Sequence, residues 1–520
     1  MSNKLKYIEL FAGCGGLSLG LRSVGFELEL ANDLSPMASS TYALNLLNEE
    51  IDEKNINNSI KVCTVAALSR ITEAEWQQKK MVVGDVVELV ETLGKDSHKL
   101  NRLKGVELVS GGPPCQGFSL AGKRKERDPK NRLPYAFVDF VNLVQPKIVL
   151  LENVEGILRP FKSDGGQKYP WLEIAKAFAS IGYAPMCFFL NAKYFGIPQN
   201  RPRFVLLGIH NTLKENIYNY FIKDEQNKIK SMYKHAFDLT EKSSEFINAY
   251  SGSEDGIQLE IINMNEYISE NTLHSTFLLS NLFPQVSANK FSVKDAIHDL
   301  LSNGSTGVKN KEYILHKTLS TNYNRLLSAV FKNVIQKPKR FNLGIYNHEL
   351  RKHNRIVALR FSLIQEVDKL NNGQKKQLNS LIRGKHYKDN LIKDLWQIIH
   401  KNEKYSDRFQ INSEADLAIQ LELVKSKKHT QRCLDEDLVA PAQVSIPDDL
   451  CHYDLSQPRV LSVREMARIQ SFPDEFIFRS KATTGGDNRK LDVPQYTQVG
   501  NAVPPLLGRT LGLLIEKILN

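Results

Sequence analysis

The stretch Val106-Glu107-Leu108-Val109-Ser110-Gly111-Gly112-Pro113-Pro114-Cys115-Gln116-Gly117-Phe118-Ser119 runs a short apolar segment straight into two glycines, two prolines and a cysteine. Prolines fix φ and glycines accept backbone geometry that other residues resist, so the thiol of Cys115 is presented at a rigid turn where a strand ends. A free cysteine is commonly a small buried apolar residue, and it becomes a nucleophile only where its thiolate is stabilised. A second run, Ile148-Val149-Leu150-Leu151, is apolar throughout, as expected of a strand covered on both faces, and it ends in Glu152-Asn153-Val154. In open α/β sheets ligands sit outside the carboxyl ends of strands, which places Cys115 and Glu152 on one crevice.

Working outward, residues 5 to 209 alternate short apolar runs with helix-length amphipathic segments, the pattern of a doubly wound, mostly parallel sheet. Strands are expected at Tyr7 to Phe11, Glu27 to Ala31, Val106 to Ser110, Lys147 to Glu152 and Arg203 to Gly208. Arg201 and Arg203 stand two apart at the head of the last of these, so both side chains point to one side. Residues 48–80, rich in Asn and charge, read as an insertion with a helix around Ala74 to Lys80.

These segments occur with others in a fixed order: Phe11-Ala12-Gly13-Cys14-Gly15-Gly16-Leu17, Asn32-Asp33, Gly84-Asp85-Val86, the Cys115 turn, Glu152-Asn153-Val154, Gln199 to Arg203, Leu461 to Pro473, and Gln498-Val499-Gly500-Asn501-Ala502-Val503. In this the chain resembles the cytosine-C5 DNA methyltransferases of prokaryotic restriction-modification type. The resemblance spans roughly the first two-fifths and the last eighth of the sequence.

It implies a Rossmann-like, S-adenosylmethionine-dependent α/β fold with a second, target-recognition domain. The corresponding division is 1–212 catalytic, 213–490 target-recognition including the 462–473 helix, and 491–520 returning to the catalytic domain. The implied catalytic residues are Cys115, Glu152, Arg201 and Arg203. Thiolate addition at carbon 6 of cytosine breaks aromaticity and makes carbon 5 enamine-like. Charge builds on the ring and is relieved by a proton at nitrogen 3, the role Glu152 takes by the resemblance, oriented by Arg203 with Arg201 beside it.

S-adenosylmethionine is the implied methyl donor, held by Phe11, Ala12, Gly13, Gly15, Gly16, Leu17, Asp33, Leu34, Asp85, Val86, Pro113, Asn501 and Val503. The glycine turn departs from Gly-x-Gly-x-x-Gly, and Leu34 stands where the family often has a larger side chain against adenine. Contacts to double-stranded DNA are implied for Gln116, Ser119, Lys123, Arg124, Lys125 and Arg127, in a basic stretch from Leu120 to Arg132 expected to close over a flipped-out base. A cognate restriction endonuclease acting on the same site is the implied partner. A tRNA cytosine methyltransferase on the same fold and a non-catalytic DNA-binding homologue are the alternatives; a nicotinamide dehydrogenase would give no reason for the Cys115 turn.

Length and composition agree. The 520 residues exceed what one core usually supports, and 42% hydrophobic with 24% charged residues is ordinary for a globular protein. No apolar run reaches membrane-spanning length and no signal peptide is visible, so a cytoplasmic, nucleoid-associated monomer is expected. Six cysteines without a Cys-x-x-Cys pair argue against a zinc site, so no metal is expected. His348 and His353 are five apart, so they do not share a helix face as a metalloprotease motif requires, and a solvated helix is expected there. Net charge is +11, and residues 331–440 carry 22 Lys+Arg against 13 Asp+Glu, a basic surface suited to phosphates. Glu349 to Leu370 and Ala415 to Lys425 read as helices, Asn371-Asn372-Gly373 as a loop, and Ser462 with Glu465 as a capping box.

Overall fold

The computed structural model describes residues 4–114, 132–163, 166–215, 261–263, 291–301, 312–313, 321–338, 345–366, 371–385, 390–426, 431–443, 449–484 and 492–520. Its centre is a nine-stranded sheet of β1 (Lys6–Leu10), β2 (Glu27–Asp33), β3 (Val62–Thr64), β4 (Met81–Val83), β5 (Leu108–Gly111), β6 (Ile148–Val154), β7 (Tyr183–Asn191), β8 (Pro202–His210) and β9 (Ile261–Asn263). The spatial order is β9-β7-β8-β6-β5-β1-β2-β4-β3. Strand β8 runs antiparallel to both β6 and β7, and every other pairing is parallel. The chain winds from β1 to one side through β2 and later to the other through β5, so the crevice at a topological switch point opens at the carboxyl ends of β1 and β5.

The apolar run of β6 is explained by cover on both faces. Ile148 and Leu150 enter one core with Tyr7, Leu28 and Val205, while Val149 and Leu151 enter a second with Ile8, Leu30 and Val109. The second core is roofed by α3 (Val86–Lys95), α4 (Leu133–Val144) and α5 (Pro170–Ser180). The first is roofed by α1 (Gly16–Arg22), α2 (Pro36–Tyr42) and the C-terminal α12 (Pro505–Leu519). Within the 48–80 insertion, β3 extends the sheet edge and Glu73–Gln78 forms the expected helix, its Trp76 buried beneath the Arg102 guanidinium.

A separate helical core is built from α6 (Arg355–Gln365), α7 (Asn372–Ile382), α8 (Asn390–Ile399) and α9 (Glu414–Leu423), closed by Cys451 and Val460. Two local expectations change here. Asn371 is no loop residue but the N-cap of α7, its side chain accepting from the Gln374 amide in a capping box with Gln374. Helix α6 starts at Arg355, so His348 lies outside it and is buried, one ring nitrogen 2.8 Å from Ser462 Oγ and the other 3.0 Å from the Leu300 carbonyl. Burial pushes its pKa down to about 4. Its partners are 114 and 48 residues away, beyond the reach of any local pattern.

Helix α10 (Val463–Ile469) is buried on all sides and joins the parts. Ser462 caps it in the expected box with Glu465, which also takes a bidentate pair from Arg459 at 2.7 and 2.8 Å. Arg468 pairs with Asp299 and Asp474, while Arg464 donates to the Tyr346, Pro473 and Phe476 carbonyls. After α11 (Gln495–Asn501), α12 packs on α1. A Cβ at Gly20 of α1 would sit 2.4 Å from the Arg509 amide nitrogen and 2.5 Å from the Pro505 carbonyl oxygen, so the two backbones cross in contact.

Gly20→Ala is therefore expected to destabilise the protein by about 3 kcal/mol or more, since backbone on both sides cannot yield as a flexible side chain would. Gly94→Ala, inside α3, where an added Cβ would lie 4.0 Å from Leu143 Cδ1, is expected to stabilise by about 0.5–1 kcal/mol. Thermal melts of the two variants, measured side by side, check both signs.

Candidate active site

Strand β1 ends in the tight turn anticipated from its glycines. Phe11 takes φ 55°, Gly13 φ 53° and Gly15 φ 95°, all in the left-handed region. A Cβ on Gly15 would meet Leu46 Cδ1 at 2.6 Å, and one on Gly16 would meet the Val503 carbonyl oxygen at 2.2 Å. The C-terminal segment therefore closes directly on the turn. Gly13 donates its amide to Asp33 Oδ2 and Ser35 donates to Asp33 Oδ1, each at 2.8 Å, so the carboxylate at the end of β2 fixes the turn while keeping free lone pairs toward the crevice. Asn32 Nδ2 donates to the Val82 and Gly84 carbonyls, aligning β4 with β2, and Asp85 caps α3 through the Val87 amide.

Leu34 stands at the mouth, 69% exposed. The other residues named for the methyl donor divide. Phe11 is half-buried, Val503 half-buried and Asn501 exposed, whereas the side chains of Ala12, Leu17 and Val86 lie in the core, leaving only their backbone toward the crevice.

Next to this pocket, Gly112, Pro113 and Pro114 leave the end of β5; Cys115, Gln116, Ser119, Lys123, Arg124, Lys125 and Arg127 lie outside the described residues. Asn153 on β6 donates Nδ2 to the Pro113 carbonyl at 3.0 Å, anchoring the turn that leads into Cys115. Its neighbour Glu152 is buried, with Oε1 2.8 Å from Arg203 Nε and Oε2 3.2 Å from the position of a Cβ on Gly112. The carboxyl thus touches the backbone three residues before Cys115. Burial lowers the pKa of Arg203, and the Glu152 carboxylate opposes that shift.

Arg201 is not brought to the carboxylate in the same way. Its guanidinium donates to the Gln443, Gly500 and Ala502 carbonyls at 3.1, 2.9 and 3.0 Å. It therefore ties the head of β8 to two distant segments. Sequence reasoning quoted Gln199 and Gln498 without giving them a role. Gln199 donates to Gln470 Oε1 and accepts from the Gln443 amide, while Gln498 accepts from Thr41 Oγ1 at 2.6 Å and donates to the Met37, Arg479 and Val493 carbonyls. The available signal was an uncharged amide inside each motif, a side chain that donates and accepts together.

Beneath the glycine turn lies a second polar cluster. Glu9 on β1 bonds to Ser18 of α1, whose hydroxyl also meets those of Tyr7 and Tyr42, each at 2.7 Å. Burial, partly offset by the Ser18 bonds, raises the Glu9 pKa to about 8.

Sheet and crevice together define a Rossmann-like methyltransferase. The family described as C-5 cytosine-specific DNA methylase matches residues 5–69 and 73–517. The chain belongs to that family and is a DNA (cytosine-5)-methyltransferase. It is 26% identical over 513 residues to the type II methyltransferase M.DdeI of Desulfomicrobium norvegicum, covering 98% of this chain and 87% of the relative. It is 26% identical over 524 residues to M.AgeI of Thalassovita gelatinovora, covering 98% and 99%. A DNA modification methyltransferase encoded within a prophage (E. coli) shares the fold at TM-score 0.52 and 19% identity, over 99% of each chain. Among the described residues no helix is long and apolar enough to cross a membrane, and no group of three or more His, Cys, Asp or Glu side chains is placed to hold a metal.

The Glu9 cluster gives a pH dependence of definite sign. A carboxyl whose folded pKa exceeds its unfolded value contributes stability below the unfolded value near 4.5, and this is lost as pH rises through about 8. The thermal midpoint should therefore fall as pH rises from about 5 to about 8 and level off above that, and Glu9→Gln, neutral and of the same shape, should remove most of that slope. A variant whose slope equals that of the parent would exclude Glu9 as its source.

Proposed function

We propose that the enzyme methylates carbon 5 of a flipped-out cytosine at a specific site in duplex DNA through a covalent Cys115 adduct, with S-adenosylmethionine as donor, as the modification half of a restriction-modification system. The observation that carries this reading is the Glu152–Arg203 pair set against the glycine-proline turn that Asn153 anchors. The restriction-modification role follows from relatives named as type II methyltransferases that align over nearly the whole chain.

The crevice at the end of β1 fits the donor. Gly13, Gly15 and Gly16 leave bare backbone, Asp33 offers carboxylate lone pairs suited to ribose hydroxyls, and the exposed Leu34 supplies an apolar surface for adenine. When bound there, S-adenosylmethionine supplies an electrophilic methyl group. Asp85, just past the end of β4, would meet the adenine edge, and Asn501 and Val503 would close the pocket from the C-terminal segment. Pro113 would line the side shared with the target base.

The chain's own part in the chemistry is to attack, hold and protonate. Cys115 adds to carbon 6, converting one difficult substitution into an addition and an elimination. Glu152, oriented by the Arg203 Nε bond, hydrogen-bonds the nitrogen-3 edge of the base and moves a proton there as the ring gains charge. Arg203 faces the base oxygen. Arg201 contributes by fixing the head of β8. The base must leave the helix to reach these groups, and Gln116, Ser119 and the basic run Lys123, Arg124, Lys125 and Arg127 would close over the DNA around it.

Further phosphate contacts are assigned to the helical unit, where Lys376, Lys385, Lys393 and Lys401 are exposed. DNA affinity should fall steeply with salt, and changing these four lysines to glutamate should flatten the log-affinity against log-salt slope by roughly three to four phosphate contacts. An unchanged slope would move the phosphate surface elsewhere.

The mechanism is tested with 5-fluorocytosine in the target site. Fluorine cannot depart as a cation, so the methylated adduct should stay bound through Cys115 and persist in a denaturing gel. The band should require donor and Cys115, and should drop at least tenfold in Glu152→Gln, which cannot give up a proton as the acid does. Fluorinated DNA that is bound yet never covalently held would refute attack at carbon 6.

A further inference from the structure

Outside the crevice, the described residues bring two cysteines together. Arg432–Cys433 and Leu450–Cys451 form a two-residue parallel ladder in which Cys433 and Cys451 are register partners. Partners on neighbouring strands lie roughly 4.8 Å apart with side chains on one face, inside the Cα separation of about 4.4–6.8 Å that a disulfide spans. Cys433 Sγ approaches the Leu434 and His452 carbonyls at 3.2 and 3.5 Å. Cys451 is fully buried, whereas Cys433 is half-buried, so one thiol is open to a reagent and its neighbour waits behind it.

The segment that leaves Cys433 is a strap across the catalytic domain. The Leu438 and Glu436 carbonyls accept from the Val293 and Lys294 amides, and Ala440–Pro441 pairs in parallel with Gln199–Asn200. Gln443 then takes the Arg201 guanidinium on its carbonyl and gives its amide to Gln199. Two residues beyond Arg201 stands Arg203, on Glu152. The strap thus runs from the two-residue ladder that holds the cysteines to the head of β8.

We propose that Cys433 and Cys451 are a redox modification site, oxidised to an intramolecular disulfide by low-molecular-weight disulfides, and that this bond fastens the strap that positions β8. The Cys433 thiolate attacks one sulphur of oxidised glutathione, breaking its S–S bond and releasing one glutathione thiolate. Cys451 then attacks the Cys433 sulphur, its proton passing to the second glutathione as that thiolate departs. Two electrons pass from the protein dithiol to the reagent, and the two protein protons end on the two reduced glutathiones.

The test uses the full chain carrying Cys115→Ser, so that the proposed nucleophile does not compete for the reagent. After treatment with oxidised glutathione, non-reducing peptide mapping should find Cys433 joined to Cys451 as the main cross-link, two hydrogens lighter than the reduced pair and restored by dithiothreitol. In a further Cys451→Ser variant the cross-link should be replaced by a glutathione adduct on Cys433. Amide exchange in residues 434–443 and 199–203 should slow on oxidation of the parent and stay unchanged in Cys433→Ser. Glutathione trapped on Cys433 while Cys451 remains a free thiol would overturn the pairing. A formed disulfide with unchanged exchange in the strap would overturn the fastening role.

Discussion

Everything at the crevice depends on a contact between the two ends of the chain. The backbone of Gly16 lies against the Val503 carbonyl, and that of Gly20 against Pro505 to Arg509, at separations where no Cβ fits. Glycine at these positions is a requirement of backbone meeting backbone, and the φ 95° at Gly15 adds a conformation that other residues resist. Because α1 begins at the turn and α12 begins one residue after Pro504, docking one helix on the other also sets the wall of the pocket.

The second constraint is polar. Gln199, Gln443, Gln470 and Arg201 form a buried joint where β8, the strap, α10 and α11 meet. A buried polar group left without its partner costs about 1–3 kcal/mol, so shifting this joint would strand the donors and acceptors that are paired in it. Apolar packing alone would tolerate slippage of these segments against the sheet. The arginines of α10 work to the same end with charge: Arg468 holds Asp299 and Asp474, and Arg459 holds Glu465. Removing one member of such a pair strands a buried charge, at about 3–5 kcal/mol.

The parts legible in the sequence are those whose cause is local. Ile148 to Leu151 reads as a doubly covered strand because both cores demand apolar side chains, and Ser462 reads as a cap because its partner is three residues on. Strand ends drift by one or two residues, as at β2, which continues to Asp33. Where the partner is remote the pattern is silent. The period of two put Arg201 and Arg203 on one side, yet only Arg203 reaches Glu152, because carbonyls some 300 residues away claim Arg201. His348 looked solvated for the same reason: Leu300 and Ser462 are invisible from its neighbourhood. Asn371-Asn372-Gly373 has loop composition but caps a helix, since Asn favours caps and turns for one and the same hydrogen bond.

The reversed direction of β8 has a consequence for how the site is assembled. A parallel strand would bring its carboxyl end to the crevice, as β1, β2, β5 and β6 do. Strand β8, antiparallel to β6, brings its beginning, so that Arg203 opposite Val154 arrives on the first residues of the strand. The chain just before it, from Phe195 through Gln199 to Arg201, must then lie at the crevice side of the sheet. That is where Ala440–Pro441 and the Gly500 and Ala502 carbonyls can reach it. One inverted strand thus places the Glu152 partner and exposes a handle for the strap and the C-terminal segment. The coupling between base chemistry and the rest of the enzyme follows from the direction of that strand.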